Sequence, residues 1–309
     1  MGGAFDPQYG RMSAKLGLHL PLSVGNAQTF LLYDYVHPPV ELITPSIYGS
    51  PIGVLGDGTQ IWKINHNGVD VHAVRFHVFE VQLINRVAWD NNIRVPDANE
   101  LGWKDTVRFN PLQDTIVALR PIAPVLPFKI PNSIRPLGAV LDAVPETTNP
   151  AGNPVTALNH QVNFGWEYVW HCHLLAHEEN DMMHAIAIGL PPEAPSNLQA
   201  SLGANKVNLT WTDNSLNETA FKIERATDAG FTAGLASFIL GPNVSTLSDT
   251  TVSSSTTYYY RVYASNVIGD TTICPAPAVG FPTKSVDSAH SNARTITTGS
   301  IVSPNAGTG

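Results

Sequence analysis

FGWEYVWHCHLLAHEENDMMHAIAIG, residues 164–189, is the stretch on which the reading of this chain turns. Its first part has the aromatic and β-branched content of a strand, a polar loop or short helical turn follows, and a second strand closes it. Side chains of an extended segment alternate faces, so His171 and His173 point one way and Cys172 the other. One strand can therefore serve two metal sites back to back. His177 lies five residues after Cys172 and Met182 ten, within the same short run. A thiolate, an imidazole and a thioether are three of the ligands that a trigonal two-His, one-Cys copper site with a distant Met requires. The second His has to come from elsewhere in the chain.

The candidate is His72-Ala73-Val74-Arg75-Phe76-His77, a hundred residues upstream in a strand-like segment. A histidine on a strand is more often a core or surface residue than a ligand. Five ligand-type residues within twelve positions, matched by a second cluster, outweigh that expectation. HCHLLAHEENDMM and HAVRFHVF resemble the paired C-terminal copper signatures of the multicopper oxidases, the laccase-like family. GDGTQIWKINHNGVD, LINRVAWD and NELGWKDTVRFNP extend the likeness, which covers roughly residues 1–190. The resemblance implies a Greek-key cupredoxin β-sandwich. It implies type 1 copper on His72, Cys172 and His177 with Met182 axial, and a type 3 half-site on His77, His171 and His173. Met183 reads as core, exchanging with Met182 if the register slips by one. His66, His160 and His184 read as ordinary structural histidines. Glu178, Glu179 and Asp181 read as surface loop carboxylates, an outer role to the ligands being the lesser reading.

Two features depart from the family pattern. Arg75 stands where the family places a His ligand of type 2 copper, and a guanidinium offers only donors. The family also carries two HxH motifs in an N-terminal cupredoxin domain, whereas the only HxH here is at 171–173. The expectation is a C-terminal portion of a longer oxidase, or a product begun at an internal Met, whose trinuclear site needs a cupredoxin half from another chain or from missing sequence.

The chain has 309 residues, enough for two domains. PPEAPSN at 191–197 reads as a linker. Beyond it come short alternating strands at regular spacing: KVNLTWTD, AFKIERAT, SFILG and TTYYYRVYASN. Residues 191–284 resemble a fibronectin type III module, an immunoglobulin-like β-sandwich, with Trp211 as core tryptophan and Tyr258 as corner tyrosine. Leu209, Leu247, Val262 and Ala264 are inward positions, and the module reads as a spacer. Residues 285–309, rich in Ser, Thr and Gly, read as a flexible tail. The fold class expected is all-β throughout.

Composition narrows the function. A net charge of −8 argues against nucleic acid, which demands clustered Lys and Arg. No apolar run reaches the ~18–20 residues of a membrane span, and MGGAFDPQYG lacks the pattern of an export signal. Cys172 and Cys274 are the only cysteines, in contexts too different to suggest a bridge. The resemblance, with its two departures, implies three candidate functions. The first is a copper oxidoreductase taking single electrons from a phenol or a metal ion such as Mn(II) or Fe(II). The second is a copper-binding electron-transfer protein without oxygen reduction. The third is a scaffold or adhesion protein. The resemblance implies work outside the cytoplasm.

Overall fold

The computed structural model describes residues 2–6, 11–19, 30–33, 52–66, 68–136, 146–148, 154–156, 161–180, 182–269 and 284–300. Strands dominate, and the chain divides into two compact units, one of residues 1–190 with 268–284 and one of residues 191–267 with 285–309. His160, Asp181 and Cys274 lie outside the described residues.

Two sheets build the body of the first unit. One has the order Gln60–His66, Gln113–Pro121, Phe79–Ala88, Ile93–Arg94. The other has the order Gly53–Val54, Met183–Gly189, Trp166–Cys172, His72–Phe76, Thr106–Phe109. Alternating burial along the Gln60–His66, His72–Phe76 and Gln113–Pro121 strands turns their apolar residues into one core shared by both sheets. The rings of Trp62, Phe76 and Trp170 meet there. Phe76 and Trp170 stack at 5.7 Å, and Trp62, from the other sheet, meets Trp170 edge-on at 5.6 Å. The buried Leu16 of the Arg11–His19 strand joins the same core.

The apolar run VRFHVFEVQLINRV, residues 74–87, is broken at 77–78. The chain leaves one sheet after Phe76 and enters the other at Phe79. Val78 takes a φ of 62°, a left-handed conformation costly for a β-branched residue. Backbone bonds on either side hold it: Ile122 N–H donates to Val78 O at 2.9 Å and His77 N–H to Val169 O at 3.1 Å.

One buried ion pair fastens the sheet face near the short strand at 93–94. Arg86 and Glu100 are nearly inaccessible, joined by two bonds of 2.8 and 2.7 Å. Arg86 also donates to Arg108 O, and Asp97 N–H donates to Glu100.

The second unit pairs a three-stranded sheet (Ser196–Gly203, Lys206–Thr212, Thr246–Asp249) with a larger one built on Thr257–Ile268. Trp211, Phe221, Ile223, Tyr260 and Val262 fill its core. Tyr258 packs in this core, and its hydroxyl accepts the Ser253 N–H at 2.9 Å, as the corner position requires. The stretch after 285, expected as a flexible tail, contains Lys284–Asp287 and Arg294–Thr297 as strands, the latter pairing with Thr257–Ile268. Thr295, Ile296 and Thr297 are β-branched, and Ile296 packs on the core, so a polar composition concealed a sheet edge. Residues 301–309 lie outside the described set.

Replacing Arg86 by Ala leaves a carboxylate buried without its partner, and the expected loss is about 3–5 kcal/mol. Urea midpoints measure it. Arg86 holds Glu100 down to about 2, below the ordinary 4.5. Its stabilising contribution is therefore full above 4.5 and disappears as pH falls through about 2. Arg86→Ala should flatten the acid limb of the stability curve in that window.

Candidate metal centre

The pairing of Trp166–Cys172 with His72–Phe76 assembles the site. The strands are antiparallel, with Cys172 opposite Val74, His171 opposite Arg75 and Trp170 opposite Phe76. Cys172 and His72 point to the buried side. His72 opens its strand, and Cys172 closes the other, so the two meet at one end of the pair. Past Cys172 a single helical turn, Leu175–Glu178, turns the buried His177 back inward. The return is closed by backbone bonds. His177 N–H donates to Leu174 O at 2.8 Å, Met182 N–H to His177 O at 3.0 Å, and Cys172 N–H to Met182 O at 3.0 Å.

The donor atoms form a compact triangle. His72 Nδ1 and His177 Nδ1 are 3.1 Å apart, and each lies 3.4 Å from Cys172 Sγ. This is the group of His, Cys and acidic side chains among the described residues with its donor atoms close enough to share an ion. All three residues are buried, and so is Met182. Burial first, then the neighbouring His66 and His177, brings His72 down to about 3, which keeps its imidazole neutral and able to give a lone pair. Burial pushes the Cys172 thiol up, with the Leu174 and Ala73 amides pulling it back. One buried sulfur and two imidazole nitrogens facing one another fit a soft transition metal, which would take the thiol as thiolate. Met183 is partly buried and sits opposite His171 in the sheet, while Met182 is fully buried, with its backbone bonded to His177 and Cys172.

On the other side of the strand, His77 Nε2 and His171 Nε2 approach to 3.0 Å, their rings stacked at 5.2 Å. His173 is set apart. Its side chain is 45% exposed and its ring is 5.4 Å from that of His171. Glu178 spans the two, one carboxylate oxygen 3.7 Å from His171 Nδ1 and the other 3.7 Å from His173 Nδ1. It is half-buried rather than a surface loop carboxylate, because the helical turn that brings His177 inward lays the next residue along the strand. Arg75 shares the face of its register partner His171 and pairs with Asp105 at 3.3 Å. Burial lowers His77, followed by the nearby His171 and Arg75.

His66, read from sequence as an ordinary structural residue, is fully buried with its ring 4.7 Å from that of His72. Its position at a strand end, six residues before His72, was the available signal. His184 is buried on the Met183–Gly189 strand, opposite Trp170.

No family model matches the chain. Two curated relatives do. A laccase of Haloferax volcanii is 25% identical over 133 residues, 43% of this chain and 16% of that protein. A laccase of Bacillus stratosphericus is 21% identical over 187 residues, 54% of this chain and 29% of that protein. The chain thus spans under a third of the length of either laccase. Among solved structures, an Fn3-like protein from Clostridium thermocellum is 24% identical, covering 33% of this chain and 91% of that one, with a TM-score of 0.23.

Because Cys172 is fully buried with a raised thiol, its native alkylation by iodoacetamide is expected to be at least about tenfold slower than after unfolding. Peptide mass mapping separates it from Cys274. Over part of its length the chain is thus similar in sequence to laccases.

Proposed function

We propose that this chain is the copper-binding C-terminal part of a laccase-like oxidoreductase, with His72, Cys172 and His177 as type 1 ligands and Met182 axial. The observation that carries the reading is the buried triangle of two imidazole nitrogens and one sulfur. Copper held there would supply a one-electron couple. The chain's own contribution is a dry, narrow site. Core residues from both sheets exclude water, and the closed 172–182 turn fixes two of the three donors and the methionine. The reductant, a phenol or a reducing metal ion, approaches at the His72 and His177 end. Cys172 is joined by one peptide bond on each side to His171 and His173, which with His77 are the proposed type 3 half-site. The remaining ligands of a trinuclear site would come from a further cupredoxin domain, in another chain or in a longer form of this one. By analogy with the laccases, the place of action is extracytoplasmic.

Arg75 favours a second reading, in which the same copper site serves electron transfer without oxygen reduction. Arg75 occupies the type 2 ligand position, is paired with Asp105, and cannot give a lone pair.

The test is an optical and EPR spectrum of the Cu(II)-loaded chain with copper counted per chain. An intense band near ~600 nm with narrow hyperfine splitting and one copper per chain is expected, lost in Cys172→Ser. A colourless wild-type protein overturns the copper reading. Oxygen uptake with a phenol then separates the two functions: uptake by the chain alone sinks the electron-transfer reading. Its appearance only with a protein bearing the missing HxH motifs supports the oxidase.

A further inference from the structure

His66 ends the Gln60–His66 strand, fully buried, and both its ring nitrogens are engaged by the turn that leads to His72. Gly68 N–H donates to His66 Nδ1 at 3.1 Å. That nitrogen therefore carries the lone pair, and the proton sits on Nε2, which donates to the Asp70 carbonyl. With neither nitrogen to spare, His66 is not itself a ligand. Its backbone is tied as well, since Leu112 N–H donates to His66 O at 2.8 Å. The turn gains little from packing, because Val69 and Val71 are exposed. The imidazole bonds of His66 are what gather its backbone inward.

The other side of the His66 ring faces His72. The two rings are 4.7 Å apart, tilted by 46°. His72 is the first residue of its strand, and its Nδ1 must meet Cys172 Sγ and His177 Nδ1. A ring at a strand's first position has a free hinge behind it unless something fills the space. We infer that His66 is a positioning residue for His72, clamping the turn with its two nitrogens and the His72 ring with its face. The inference rests on the metal reading of the His72, Cys172 and His177 group. An apolar ring at 66 would fill the same volume but leave the Gly68 N–H and Asp70 carbonyl without their partner. An amide would keep an acceptor for Gly68 and lose the ring face.

Two variants, His66→Phe and His66→Asn, divide these contributions. In the metal-free chain, long-range proton–nitrogen NMR of His72 should show one ring-nitrogen pattern in the wild type and an averaged one in both variants. With Cu(II), both variants should bind at least about tenfold more weakly, with a shifted band and altered hyperfine splitting. An unchanged His72 pattern together with unchanged copper affinity and spectrum overturns the inference. So does a fall in thermal stability unaccompanied by any change in the His72 pattern or the spectrum, which is the mark of a purely structural histidine. If the wild type takes up no copper while the variants still release His72, the metal reading falls and the positioning of His72 stands.

Discussion

The antiparallel pairing of His72–Phe76 with Trp166–Cys172 is the constraint on which the rest depends. A strand offers two faces and no others, and a slip of one residue would exchange them. The pairing puts Cys172 and His171 on opposite faces of the strand, both buried, and it places His72 at the end where Cys172 emerges. The core holds that register. Trp170 and Phe76 are directly opposite and stacked, and Trp62 closes on both from the facing sheet. Slipping the Trp166–Cys172 strand by one would turn Trp170 off the core face and put His171 in its place. The hydrophobic energy of the aromatic cluster therefore protects the geometry of the polar site beside it.

The loops complete what the strands begin. Between Cys172 and Met182 the chain makes one helical turn and returns, each step held by a backbone bond. A short closed turn loses little conformational freedom on folding and leaves few arrangements for His177. In the His66–His72 turn Val69 and Val71 are exposed, and a side chain, His66, does the equivalent work. The two sides of the buried His72, Cys172 and His177 triangle are thus fixed by different means, one through the main chain and one through an imidazole.

Much of this was legible in the sequence because it rests on spacing. Alternation separates Cys172 from its flanking histidines, and the five-residue step to His177 fits one helical turn. The all-β character followed from the same kind of pattern, while the inward places of Trp211 and Tyr258 came from the resemblance to a fibronectin type III module. What spacing does not carry is a change of sheet inside an apolar run. The break at Val78 leaves no glycine or proline behind, because the strain is met by tertiary hydrogen bonds rather than by residue choice. The strand at Arg294–Thr297 was hidden for the opposite reason: its polar composition suggested a tail, and its stability comes from pairing with Thr257–Ile268. The roles of His66 and Glu178 depend on three-dimensional neighbours, and no local pattern distinguishes a buried structural histidine from one that backs a ligand.

The face carrying His77 and His171 also carries Arg75. A neutral imidazole at that position would bring one donor pair and no charge, whereas a guanidinium brings a permanent positive charge beside the two stacked histidines. Asp105, on the chain just before the adjoining Thr106–Phe109 strand, lies 3.3 Å from it. Both groups are partly exposed, so their attraction is screened and weak as a source of stability. Its consequence is electrostatic: the pair draws the guanidinium toward an acid and reduces the charge left facing His77. Glu178 acts from the other side, near the Nδ1 atoms of His171 and His173. The face is therefore balanced by two carboxylates around one arginine and three histidines.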